Sequence, residues 1–559
     1  MTSLVRGRPP WLVPLALALA LRLWALGDLP ASLTDDEARL GYHAWSLART
    51  LTGPATPGTA MEGPGEVVLR LPYPARPLDT IAIAFSVGTL GPTPFAVRLP
   101  FAVAGALSVI PVTIVAHVVH GSRVAEVAAG LLLATSPWHL AFSRVARDGT
   151  WLVLGLLTMV AGMLAGGVGR NRPRHRTQFA WVIAGAAIAT LGDPIGAVAA
   201  SSTAVAIGLW LVPASSLTGA GGKPPRRFPG GRGATAALIA VVLLTVAATV
   251  GTFGVGPGEL RIGPDRQTIA SAETSSVRRL AADPSGIAGV LQAPWAVLAR
   301  AGLDAYFSHF DLTYLFTRGG ADPRDHATGF GQLSLVDLPL VTGGALLAMR
   351  AAWSRRDGPM MTRGWGIVVA WLAVAPMPAA LAVSRHDAGR SVGMVPALVL
   401  LEAGAVAAVW PRLVGRRVTF EAGLALAVST VSWVVATAVH DPAEAGRAFG
   451  SGAYAGYEWA RMEIAVGRAT QVVVVGDPSQ ATGVAHLALR LDPAGAGLQH
   501  VFTTRPEIDW ARERSADGAP MRLFALHGAA RIPDGFTEAH VARTGDGRPA
   551  VTFVRTGPG

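Results

Sequence analysis

Eleven stretches of this chain are apolar enough to be read as membrane-crossing helices, and that one feature decides what the rest can be. A helix needs about 20 apolar residues to cross a bilayer. The stretches are Trp11–Leu26, Phe95–Val119, Val124–Leu140, Trp151–Val168, Phe179–Leu191, Ile195–Val212, Ala234–Gly254, Leu333–Ala351, Gly364–Val383, Val392–Trp410 and Phe420–Ala438. Only 15% of the residues are charged, against about 25% in soluble proteins. A string of soluble domains is therefore excluded.

The chain carries 47 basic and 36 acidic residues, and the arginines gather in short turns between apolar runs. That distribution follows membrane topology and excludes nucleic acid as a partner. Leu78–Leu90 is apolar but too short to span. With it left out, Arg6/Arg8, Arg123, Arg170–Arg176, Lys223–Arg232, Arg355–Arg363 and Arg412–Arg417 all fall on one face. The positive-inside rule then puts the N-terminus in the cytoplasm of a cell (plasma) membrane and the C-terminus outside. Arg22 interrupts the first run and no small-residue cleavage site follows it, so this run is read as a retained span.

The expected fold is a polytopic α-helical membrane protein with a small C-terminal extracytoplasmic α/β domain. Residues 1–440 would form the membrane domain, with outer loops at 27–95, 139–150, 255–332 and 384–391. Residues 441–559 would form the outer domain, with strand-like runs Val472–Val475, Arg522–Leu526 and Val551–Val554 between turn-forming residues.

Chemistry is sought in those outer loops. Three adjacent acids, Asp35-Asp36-Glu37, follow the first span. A carboxylate there could act as a general base toward a hydroxyl or amine; equally, the acids could cap the helix that follows. In Ser136–Asp148, Arg144, Arg147 and Asp148 gather at the outer mouth. Arg144 and Asp148, four apart, would pair if helical, or else Arg144 or Arg147 meets a lipid phosphate. Ser384–Arg390 sets Arg385, His386 and Arg390 on the outer face against the positive-inside bias. This suits an anionic headgroup, or a local pair with Asp387. Tyr306 and His309 lie in an aromatic-rich stretch that is read either as a re-entrant groove lining or as an interfacial anchor. The chain has no cysteine, no P-loop and no HExxH motif, which excludes thiol chemistry, ATP-driven transport and zinc hydrolysis.

The order of these segments resembles a known family. Asp-Glu after the first span, then VRLPFAVAGALSV (Val97–Val109), SPWHLAFSRVARD (Ser136–Asp148), YFSHFDLTYLF (Tyr306–Phe316) and HDAGRSVGMVPAL (His386–Leu398) are similar to the GT-C glycosyltransferases of the protein-mannosyltransferase (family 39) type. That group includes the bacterial lipid A aminoarabinose transferases. The resemblance, over about residues 11–410, implies an inverting transferase that uses a polyprenyl-phosphate sugar on the outer face of the membrane. It implies Asp36 as base with Glu37 beside it, Asp148 as the second-loop acid, Arg144, Arg390 and His386 toward donor phosphate, and Leu78–Leu90 as a non-spanning helix. Membrane lipid is an expected partner, and the acceptor is open among protein, lipid and glycan. No cofactor or metal site is required, although a divalent cation bridged by Asp36 and Asp148 stays open. Asp35 before Asp36, and Arg76-Pro77-Leu78 where the family often has Pro-Pro-Leu, are departures. The alternatives from other classes are a secondary transporter, for which Asp193-Pro194 would mark a broken helix, and a non-catalytic lipid-binding scaffold.

Overall fold

The computed structural model describes residues 9–30, 32–52, 77–165, 175–193, 195–211, 293–353, 359–413, 416–440, 452–475, 482–488, 502–505, 508–514, 522–528 and 530–556, with a few single positions between. The expected span Ala234–Gly254, the Lys223–Arg232 cluster and Arg76 lie outside them. Among the described residues, three helices are long and apolar enough to cross a membrane: Pro94–His120, Gly364–Leu381 and Met394–Pro411. Shorter apolar helices include Leu12–Leu23, Thr150–Leu164, Thr177–Gly192, Gly196–Trp210 and Gly423–Val439. The chain is a mainly helical, multi-pass membrane protein. The expected run Val124–Leu140 is shorter than read, because the helix Arg123–Thr135 stops before Pro137 and a second short helix, Pro137–Ser143, begins there.

The described residues form two compact units. The first contains residues 1–22, 103–143 and 147–432. Its apolar core is built by α1 (Val109–His120), α2 (Arg123–Thr135), α3 (Thr150–Ala165), α4 (His175–Gly192), α5 (Gly196–Leu211) and α6 (Met394–Leu413), together with the helix Pro359–Val374, with side chains such as Leu133, Leu156, Val368 and Leu398 buried. Glycines bring α3 and α4 together: a Cβ on Gly155 would lie 2.5 Å from the Ala189 nitrogen and 2.7 Å from the Gly185 carbonyl oxygen. Membrane helices approach closely where residues are this small. Gly155→Leu is therefore expected to lose about 1–3 kcal/mol or more, read as a lower unfolding temperature in detergent. Between α4 and α5 the chain turns back at Asp193, whose Oδ1 accepts the Ile195 N–H at 2.9 Å, and the two helices pack on each other. Asp193 thus lies between two helices that pack on each other.

Arg22 shows how a charge is tolerated inside an apolar run. Its guanidinium donates to the Ala134 and Leu133 carbonyls at 3.1 and 3.5 Å, the last turn of α2, and lies 2.8 Å from His139 Nδ1. Those carbonyls have no partner within their own helix, and a cation suits that end of the helix dipole.

The second unit joins residues 23–102 and 144–146 with 433–559. It holds α7 (Asp35–Thr52), α8 (Pro77–Leu90), α9 (Ala453–Ala465), α10 (Thr482–Ala488) and a five-stranded sheet. The strands are β1 (Gln471–Val475), β2 (Phe502–Arg505), β3 (Arg522–His527), β4 (Phe536–Arg543) and β5 (Pro549–Thr556), ordered β2-β1-β3-β5-β4. β1 pairs parallel with β2 and β3, while β5 runs antiparallel to β3 and β4. Val473, Phe524 and Val554 form its core with Phe536. The α8 helix, expected from Leu78–Leu90, turns Asp79, Thr80 and Ser86 inward and exposes Ile81, Phe85 and Leu90.

Candidate functional site

The first cluster lies in the second unit, where α7 begins. Thr34 caps the helix: its hydroxyl accepts the Glu37 N–H at 3.1 Å, and Glu37 Oε2 accepts the Thr34 N–H at 3.0 Å. This reciprocal pair is a capping box, so the capping reading of the acids holds for Glu37, in a helix that starts at Asp35. Glu37 is fully buried and also accepts from Arg98 Nε at 2.9 Å, Arg98 Nη2 at 3.2 Å and the Ala146 N–H at 2.9 Å. Burial works against its charge, but the Arg98 guanidinium and these hydrogen bonds outweigh it and hold the carboxyl below its ordinary range.

Arg98 is buried as well. Beyond Glu37 it donates to the carbonyls of Pro30 (2.9 Å), Ser32 and Leu26 (3.4 Å), which winds the Leu26–Ser32 turn around it. Arg144, also buried, donates to the Leu29 carbonyl at 3.2 Å and lies 5.9 Å from the Trp24 ring centre. Burial and the neighbouring Arg98 lower its pKa to about 10. Residues 144–149 form a turn rather than a helix.

The three acids have therefore separated. Glu37 is saturated inside the unit, and Asp35 pairs with Arg39 one turn on. Asp36 is exposed and makes no hydrogen bond or ion pair with any described residue. Its helix is held along its length: α7 packs on α8 and α10, and Gly41 lets it lie against Val97 and Leu487.

The second cluster lies in the first unit. His309 follows the helix Pro294–Ser308; its Nδ1 donates to the Ala305 carbonyl at 2.7 Å, and its Nε2 accepts the Asp387 N–H at 3.1 Å. Those partners fix a neutral tautomer, and burial lowers the imidazole pKa. His386 takes a positive φ of 50°, a conformation costly for a residue with a Cβ. There its ring stacks on Tyr314 at 5.1 Å, with Nε2 3.8 Å from Asp311. Asp387 caps the short helix Ala388–Ser391 by accepting the Arg390 N–H at 3.0 Å. The Arg390 guanidinium meets Ser384 Oγ at 2.6 Å and Asp387 Oδ2 at 3.5 Å, and a third of the side chain stays exposed.

Arg147, three residues before the helix Thr150–Ala165, pairs with Asp325 at 2.5 Å. Burial pushes the Asp325 carboxyl up, against the pull of Arg147. Tyr314, also driven up by burial, reaches Ser391 Oγ at 3.3 Å. Tyr306 donates to the Ala373 carbonyl at 2.7 Å, with its ring against Phe307 and Phe310. Asp148 lies half-buried in the turn before Thr150. Among the described residues no group of three His, Asp or Glu could hold a metal ion.

The structure thus brings His386, His309 and Arg390 together within one unit, and Glu37 and Arg144 together with Arg98 within the other. Sequence reasoning missed Arg98, Asp325 and Tyr314. Arg98 did leave a signal, as the lone charge in Val97–Val109.

No family model matches the sequence, and no curated protein matches it. Among solved structures, the chain is similar to ArnT from Cupriavidus metallidurans bound to undecaprenyl phosphate. That likeness covers 98% of this chain and 99% of that one, at 14% identity and a TM-score of 0.49. It is also similar to the archaeal oligosaccharyltransferase AglB from Archaeoglobus fulgidus, in complex with an inhibitory peptide and a dolichol-phosphate. Here the cover is 88% of this chain and 64% of that one, at 13% identity and a TM-score of 0.46. The chain therefore spans just under two thirds of the oligosaccharyltransferase.

Proposed function

We propose that this chain is a GT-C-like membrane glycosyltransferase. It moves a sugar from a polyprenyl-phosphate donor to an acceptor hydroxyl or amine on the outer face of the membrane, with inversion, and Asp36 is the general base. The observation that carries the reading is the separation of the first-loop acids. Of three adjacent carboxylates, one is buried in a capping box and ion pair and one is paired along the helix, while Asp36 alone is exposed without a described partner. A base needs a carboxylate that can reach a proton, held by an element that does not move.

The acceptor oxygen or nitrogen gives its proton to Asp36 as it attacks the anomeric carbon, and the bond to the phosphate oxygen breaks on the opposite side. Within the first unit, the Arg390 turn offers a partly exposed guanidinium that suits an anionic phosphate, positioned by Ser384 and Asp387 with His386 beside it. Glu37 and Arg144, both buried, act as positioning residues.

Arg390→Gln is expected to weaken binding of polyprenyl phosphate about tenfold or more, the loss of one charge-assisted hydrogen bond of about 1.5–3 kcal/mol. Titration of the purified full chain in lipid nanodiscs with the labelled lipid reads this directly. Equal affinity in wild type and variant removes Arg390 from the donor site, and no binding by wild type counts against the transferase.

A further inference from the structure

At the end of the first unit where α2 and α4 begin, away from the Arg390 turn, a groove of about 520 Å³ opens to the surface. That volume is in the range of small-ligand sites, about 300–1,000 Å³. Its walls are apolar, with Ile114 and Val118 from α1 and the indoles of Trp11 and Trp181. Its rim carries a built polar cluster: Glu126 accepts from Arg123 at 3.0 Å through one oxygen and lies 2.5 Å from His117 Nδ1 through the other. The Glu126 side chain is 7% exposed, while Arg123 and His117 are 46% and 49% exposed. One buried carboxylate thus holds two nitrogen-bearing side chains at the mouth of an apolar slot.

An apolar wall with a hydrogen-bond-donating rim fits an amphipathic molecule with an anionic head. Tryptophans mark the depth at which lipid head groups begin. The arginine distribution assigns this end to the cytoplasmic face, where anionic lipids concentrate and each basic residue near the surface contributes about 1 kcal/mol.

We propose that the groove holds one anionic phospholipid of the cytoplasmic leaflet, with its acyl chain between Trp11 and Trp181 and its phosphate on Arg123. The site is separate from the proposed donor site and does not depend on the transferase reading.

The test is native mass spectrometry of the full chain released from nanodiscs of equal phosphatidylglycerol and phosphatidylcholine. Wild type should retain one phosphatidylglycerol in preference to phosphatidylcholine. Arg123→Gln should lower that retention about fivefold, the loss of one cationic contact. Thr177→Glu, an exposed lining position outside the rim cluster, should lower it comparably while the unfolding temperature stays at the wild-type value. Equal retention of both lipids by wild type overturns the proposal, as does unchanged retention in both variants. Displacement of the lipid by inorganic phosphate, or a dimer that excludes it, overturns it as well.

Discussion

Glu37→Gln should destabilise the purified protein by about 3–5 kcal/mol, because it leaves the buried Arg98 guanidinium without its counter-charge. The cost exceeds one ion pair in consequence, since Arg98 also holds the Leu26, Pro30 and Ser32 carbonyls, and Glu37 closes the cap of α7 and fixes Ala146. The pH dependence has a definite sign. The folded carboxyl titrates below its ordinary value of 4.5, so its stabilisation is fully present above pH 4.5 and drains away as the pH falls through the lower folded value. Thermal unfolding in detergent should show a wide gap between wild type and Glu37→Gln at neutral pH that narrows below pH 4.5. A gap that is small at neutral pH, or constant with pH, would contradict a charged, paired Glu37.

This pair also shows where sequence reading stops. The acids and their capping option were legible from Thr34 to Glu37, a span of one helical turn. The partner Arg98, 61 residues away, was not. Arg147 with Asp325, 178 residues apart, is the same case. Local patterns were read well: α8 covers the expected Leu78–Leu90, and the strand-like runs at 472, 522 and 551 became β1, β3 and β5. β2 is only four residues long, and β4 (FTEAHVAR) lacks a clean alternation and carries register shifts at Glu538/His540 and Ala542/Arg543. Neither leaves the period-two signal that marks a half-buried strand. The grouping of the first outer segment with the C-terminal residues is invisible in sequence for a related reason. It rests on contacts such as α7 with α10, between segments hundreds of residues apart.

The second large effect is on activity. Asp36→Asn keeps the size and shape of the side chain and removes only its capacity to take a proton. Asp36 is exposed and bonded to no described residue, so the variant should fold with the wild-type unfolding temperature. Turnover should nonetheless fall about 10²–10⁴-fold, the usual contribution of a general base. Asp35→Asn, by contrast, touches an i,i+4 surface pair with Arg39. Pairs of that kind contribute about 0.3–0.5 kcal/mol, and the variant should keep most of the activity.

The most direct test of this account is the release of polyprenyl phosphate from radiolabelled polyprenyl-phosphate sugars. Wild type, Asp35→Asn and Asp36→Asn would be assayed as purified full chains in lipid, with candidate acceptors present. The account predicts release by wild type and Asp35→Asn, and its collapse in a folded Asp36→Asn. Wild-type release that Asp36→Asn leaves intact would contradict the assignment of the base, and no release from any donor across the panel would contradict the transferase itself.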